Sequence, residues 1–297
     1  MEDVRTAFHR EIDGLPWMSD STKAEAHRKL REMTAHVAYP DEWRDYSDLR
    51  IERGELVENL ERVARFEHRS QVERIGRPVD MEAWHERLPQ EVNGYIDNDR
   101  NLITVTAGIL QPPFFRTDAS PAVNYGGIGA VIGHEISHAF DSEGRKFDQE
   151  GRLREWWTEE DARRFEERAR ALVDQFDRYS PVDTLHVDGE LTLPENIADV
   201  AGLEAANRAY RIHLDGGSAP VIGGFSGHQR FFMSWAQVWR MKVRDEMMRQ
   251  LLKRDPHAPA QYRANGIVQH VDEFHQAFDV TRDDRLHRPP EERVEIW

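Results

Sequence analysis

Val131-Ile132-Gly133-His134-Glu135-Ile136-Ser137-His138 is the stretch on which the reading of this chain turns. It contains HExxH and lies in an apolar run, Pro121 to Phe140, whose pattern predicts a helix. Two histidines four apart on a helix project from one face, close enough to share one tetrahedral metal. Glu135 then falls beside the coordination position that water takes. A chance HExxH arises in about one chain in fifteen of this composition, so the surroundings decide. They favour a metal, because two unpaired histidines in an apolar helix are costly. Core histidines bonded to backbone are the weaker reading. Glycines at 126, 127, 129 and 133 each cost a helix roughly 1 kcal/mol. Their clustering predicts backbone packed so closely that side chains would not fit.

A catalytic zinc site needs a third protein ligand and one position for water. A histidine six residues after the second would serve, but that position is Gly144. The alternative is a glutamate on a separate helix, and Pro194-Glu195-Asn196-Ile197-Ala198-Asp199, 57 residues beyond His138, fits it. Glu195 and Asp199 are four apart and share a helical face. Glu195 can ligate while Asp199 accepts a hydrogen bond from the far nitrogen of a ligand histidine. Alone, this segment reads as a solvated helix start; beside HExxH, it reads as catalytic.

Upstream, Asp20-Ser21-Thr22 caps a helix with an inner stripe at Ala26, Leu30, Met33 and Val37. A second helix carries Leu56, Leu60 and Val63, and both stripes are expected in the core. Val92 to Ile96 and Leu102 to Val105, separated by Asp97-Asn98-Asp99-Arg100, predict a hairpin. Gln111 to Phe115 predicts an aromatic loop. Downstream, helices are expected from about Thr158, with Phe165, Ala169, Leu172 and Phe176 inward, and over 195–213, 228–253 and 269–278.

The composition excludes other chemistry. There are no cysteines, so disulfides, thiolate metal sites and cysteine nucleophiles are absent. That also weighs against a purely structural zinc, which is usually closed by four protein ligands. The formal charge is −15, with 39% hydrophobic and 32% charged residues, which argues against a nucleic-acid or anionic-membrane partner. The charged start Met1-Glu2-Asp3-Val4-Arg5 is no signal core, and no run approaches the ~20 apolar residues of a membrane span. A soluble, cytoplasmic protein is expected, with a processed, secreted form as the alternative.

Taken together, these motifs resemble the C-terminal half of the neprilysin and endothelin-converting-enzyme family of zinc metallopeptidases. The resemblance runs almost end to end. It is carried by Trp17-Met18, Gly76 to Asp80, Ile109 to Phe115, Asn124 to Gly129, HEISHAFD, Trp156-Trp157-Thr158, Glu195 to Asp199, Trp235 to Trp239, Asp255 to Pro259 and Pro289 to Trp297. It implies a mostly helical α+β fold of the gluzincin, thermolysin-like type, with a small β-sheet and an HExxH helix. Residues 1–90 would be a helical remnant of the lid and linker, and 91–297 the catalytic domain.

The resemblance implies one zinc per chain on His134, His138 and Glu195, with Glu135 as general base and Asp199 supporting a ligand. His257 would steady the oxyanion and Arg263 would grip a substrate carbonyl. Asn93 and Gly94 would hydrogen-bond an extended peptide along an edge strand. Val105, Ala130, Val131, Val238, Trp239 and Ala264 would line the pocket for the residue after the scissile bond.

This sequence departs from the family in three ways. Members are about twice this length, and their N-terminal half forms most of a lid; either the cleft is open, a homodimer or a separate lid-supplying chain closes it, or this sequence is a fragment. Val105, Ala130 and Ala264 stand where relatives often carry larger residues, so an enlarged pocket is expected. Val105-Thr106 replaces Phe-Pro and Gly94 replaces alanine, which should loosen the substrate-binding edge. The leading expectation is a peptide-hydrolysing endopeptidase or oligopeptidase; the alternative is a non-catalytic or partner-dependent subunit that binds peptides.

Overall fold

The computed structural model describes residues 1–84 and 88–297. Residues 85–87 of the first, helical segment therefore lie outside the described residues. The fold is α+β and mostly helical. It opens with α1 (Glu2–Gly14), whose Val4, Ala7, Phe8 and Ile12 recur at helical spacing and are all buried. Helix α2 (Asp20–Glu32) is capped one residue earlier than expected, by Ser19, whose hydroxyl accepts from the Thr22 amide.

Ala26, Leu30 and Met33 of the expected stripe are buried, but Val37 is 52% exposed. The helix stops at Glu32, Met33 turns extended, and Val37 belongs to strand β1 (Thr34–Ala38). The second stripe also departs from expectation. Helix α3 (Leu56–Glu73) exists, but none of its residues is buried, and Leu56 and Leu60 are 72% and 62% exposed.

The hairpin forms as β2 (Gly94–Asp97) and β3 (Leu102–Thr106), antiparallel, with Gly94 opposite Val105. Asn101 takes the left-handed conformation in the turn. Strand β1 pairs in parallel on the other side of β3, giving the order β1-β3-β2. At Val105-Thr106 the strand end carries side-chain contacts. The buried Thr106 hydroxyl lies 2.6 Å from the Glu91 carbonyl oxygen and 2.8 Å from that of Asn93, tying the approach to β2 down.

The Pro121–Phe140 run is not one regular helix. It is α4 (Pro121–Asn124), a wider π-type turn at Tyr125–Gly129, and α5 (Ala130–Ser137). A Cβ on Gly126 would lie 2.0 Å from the Phe231 carbonyl oxygen, and one on Gly127 2.4 Å from that of Phe114. Gly129 has no such contact closer than 3.4 Å, so three of the four glycines serve close backbone packing.

Helix α6 (Glu159–Phe176) is capped by Thr158 and buries Phe165, Ala169, Leu172 and Phe176. Helix α7 (Leu193–Leu214) carries Pro194 in its first turn and runs through the core between α5 and α1. The expected 228–253 helix is two: α8 (Gly227–Val238), closed by a Ser226–Gln229 capping box, and α9 (Asp245–Arg254). Helices α10 (Ala260–Asn265) and α11 (Asp272–Ala277) follow.

Lys29 of α2, 1% exposed, donates to the carbonyls of Ala139, Gly144 and Phe147 at 2.7 to 2.8 Å. It thereby fixes the turn that leaves α5. Among the described residues no helix is long and apolar enough to cross a membrane.

Candidate metal centre and active site

Helices α5 and α7 cross where Gly133 meets Gly202. A Cβ on Gly133 would lie 2.5 Å from the Gly202 carbonyl oxygen. This close crossing brings the α5 histidines to the α7 carboxylates. His134 Nε2 and His138 Nε2 face each other at 3.0 Å, and Glu195 Oε2 lies 3.1 Å and 3.5 Å from them. The three side chains offer ligand atoms within 4.8 Å of one another.

The far sides of both rings are held. His134 Nδ1 donates to Asp199 Oδ1 at 2.8 Å, and His138 Nδ1 to Asp141 Oδ2 at 2.6 Å. With the Nδ1 protons so committed, both Nε2 atoms are left to face Glu195. Its Oε2 is buried and has no hydrogen-bond partner among the described residues. Three ligand atoms converging on one point suit a cation between them, and two imidazoles with one carboxylate suit zinc.

Without a metal, burial would lower the His138 pKa, but Asp141 and Glu195 outweigh it and raise the pKa well above the usual value. Metal binding must displace that proton. Burial raises the Glu135 pKa against the opposing pull of His134 and His138.

These groups line a cavity of about 410 Å³ that also includes Asn93, Gly94, Val131, Trp239, His257 and Arg263. β2 is the outer strand beside it. A Cβ on Gly94 would lie 3.1 Å from Glu135 Oε1, so glycine here leaves the carboxylate room. His257 Nε2 is 3.1 Å from Glu195 Oε2, and its Nδ1 donates to Asp255 at 2.8 Å. Arg263, 7% exposed, grips both oxygens of Asp199 at 2.7 Å and stacks 3.8 Å over the Trp239 ring. Of the residues read as pocket walls, Val131 and Trp239 line this cavity; Val105, Ala130, Val238 and Ala264 are not among its lining residues.

Asp141 has no counterpart in the sequence reading. Its signal was a carboxylate three residues after His138. Its Oδ1 accepts from the Glu143 and Gly144 amides, both at 2.8 Å, leaving Oδ2 for the histidine.

Fold and site together define a metallopeptidase-type arrangement, an HExxH helix crossed by a helix that supplies a glutamate. A family model described as peptidase family M13 matches residues 93–294, and a second model of the same description matches residues 1–40. The chain belongs to peptidase family M13.

It is 36% identical to an endothelin-converting enzyme homolog of Locusta migratoria, over 100% of this chain and 42% of that protein. It is 38% identical to a neutral endopeptidase of Lactococcus lactis, over 95% of this chain and 43% of the relative. The crystal structure of Mycobacterium tuberculosis zinc metalloprotease ZMP1 in complex with inhibitor is similar, with a TM-score of 0.94 and 45% identity. That match covers 99% of this chain and 45% of the other. The chain therefore spans less than half the length of these relatives.

Proposed function

We propose that this chain is the catalytic part of a zinc-dependent endopeptidase or oligopeptidase. One zinc would sit on His134, His138 and Glu195. The observation that carries the proposal is the convergence of those three donors, with Glu135 beside them and both Nδ1 protons committed to carboxylates. Relatives named neutral endopeptidase and zinc metalloprotease support the same class.

When bound, zinc would acidify a water and polarise a peptide carbonyl. Glu135 Oε1 or Oε2 accepts the proton of the attacking water and returns it to the leaving amine. Asp199 and Asp141 keep the histidine tautomers that present Nε2 to the metal. His257, oriented by Asp255, donates to the developing oxyanion, and Arg263 binds a substrate carbonyl while locked on Asp199. Asn93 and Gly94 align the peptide as an added strand on β2.

An enlarged pocket for the residue after the scissile bond would rest on the small size of Val105, Ala130 and Ala264 alone, since they are buried and none lines the cavity. A preference for alanine over tryptophan or leucine there would sink that part.

The exposed apolar residues of α3, Leu56, Val57 and Leu60, favour a covering unit. Further sequence, a second chain or a homodimer would supply it. Cleavage of a quenched peptide library with zinc, with a chelator and with Glu135→Gln tests the assignment. Turnover abolished by both the chelator and the substitution is expected; turnover surviving the chelator would refute it.

A further inference from the structure

We propose that the apolar pocket between α9 and the 255–263 segment is a second specificity subsite, taking one apolar side chain of the bound peptide. The proposal rests on the peptidase reading above. This pocket measures about 210 Å³. That is below the roughly 300–1,000 Å³ typical of whole small-molecule ligands, and suits a single side chain. Most of its lining is aliphatic or thioether, including Met241, Val243, Met248, Leu251, Leu252 and Pro259.

Continuity with the catalytic cavity identifies the occupant. Trp239, His257 and Arg263 line both spaces, so a peptide against His257 in one lies at the mouth of the other. The charged groups at this junction are already paired, while the Trp239 indole nitrogen is buried without a hydrogen-bond partner among the described residues. Asp255 accepts from His257, and Arg263 is committed to Asp199 and the Trp239 ring. The pocket therefore presents apolar surface without a free ion to recruit a charged side chain.

Its outer wall is adaptable. Helix α9 has no buried residue, and Met248, Leu251 and Leu252 are only half-buried. Met241 is 68% exposed. Unbranched methionines and a lightly anchored helix let the wall close on leucine, methionine or phenylalanine alike. The Trp239 wall is firm, fixed by Arg263 on one face and by an edge contact with Trp235 at 5.3 Å.

The test varies each position of a cleavable peptide in turn between leucine and glycine. It reads kcat/KM for the wild-type chain, Leu251→Asp and Met248→Trp. It also reads peptide Kd for the same pocket changes placed on Glu135→Gln, which removes the proposed base but no proposed ligand. Circular dichroism checks folding, and because Leu251 is not buried, Leu251→Asp should fold.

One position should favour leucine about tenfold in both kcat/KM and Kd. Leu251→Asp should erase that preference and admit lysine, and Met248→Trp, by filling the space, should favour glycine. Preferences at the other positions should stay. Turnover with no position responding to either variant would overturn the subsite and leave the peptidase reading intact. Absent turnover with a leucine preference in Kd that Leu251→Asp erases would overturn the peptidase reading and leave the subsite. Neither turnover nor peptide binding would overturn both.

Discussion

Gly133 and Gly202 touch backbone to backbone, and a Cβ on Gly202 would lie 2.3 Å from the His134 amide nitrogen. The crossing of α5 and α7 thus sets the spacing between two candidate ligands and the third. Gly202→Ala must separate the helices, with an overpacking cost of about 1–3 kcal/mol. Zinc affinity should fall with it. Thermal melting and chelator competition on the variant check this; unchanged affinity would show that the crossing does not control the site.

Asp199 and Asp141 each hold one histidine, but only Asp199 also neutralises the buried Arg263. Both Asp199→Asn and Asp141→Asn should weaken zinc binding by about 10- to 100-fold. Asp199→Asn should further lower the stability of the metal-free chain, by about 3 kcal/mol, because it strands a buried guanidinium. Urea unfolding of the two variants separates the effects. Equal losses of stability would refute the special role of Asp199.

A methyl group at position 94 would meet Glu135 Oε1 at 3.1 Å, Glu135 Cγ at 3.2 Å and Val131 Cγ1 at 3.3 Å. Glu135 would have to shift by a few tenths of an ångström. Gly94→Ala should lower kcat by up to about tenfold without changing zinc content, because small misplacements of a reacting group are expensive. Steady-state kinetics beside metal analysis decides it, and a fall in zinc content would contradict this explanation.

His270 is 3% exposed; its Nδ1 accepts from the Val294 amide at 2.9 Å, and its Nε2 donates to Gln175 Oε1 at 2.7 Å. Burial first, then Arg288 and Arg293, push its pKa down to about 3. The native state binds fewer protons than the unfolded chain between about 3 and 6.5, so stability is present above 6.5 and drains away below it. The loss is on the order of 4 kcal/mol by pH 3. His270→Gln should flatten that part of the melting-temperature profile, whereas a profile as steep as wild type would contradict the assignment.

The centre was legible because its logic is local. The helical period alone pairs His134 with His138 and Glu195 with Asp199, and only their meeting needed the fold. Asp141 escaped notice because its role depends on the turn after α5, which Lys29 holds from a distant helix. Val37 continued the apolar spacing of α2 but pairs with Val105 in the sheet, a non-local choice that periodicity cannot register. The helix expected over 228–253 likewise breaks after Val238, where α8 ends. On α3 the stripe was expected in the core, yet none of its residues is buried, because helical spacing marks a face without saying that anything covers it.

The most direct test measures bound zinc and peptide turnover on the same preparations of wild type, Glu135→Gln and Glu195→Gln. Wild type should hold one zinc per chain and turn over. Glu135→Gln should hold one zinc and lose turnover by several orders of magnitude, and Glu195→Gln should lose both. Full zinc retention in Glu195→Gln, or undiminished turnover in Glu135→Gln, would contradict the roles proposed for these two glutamates.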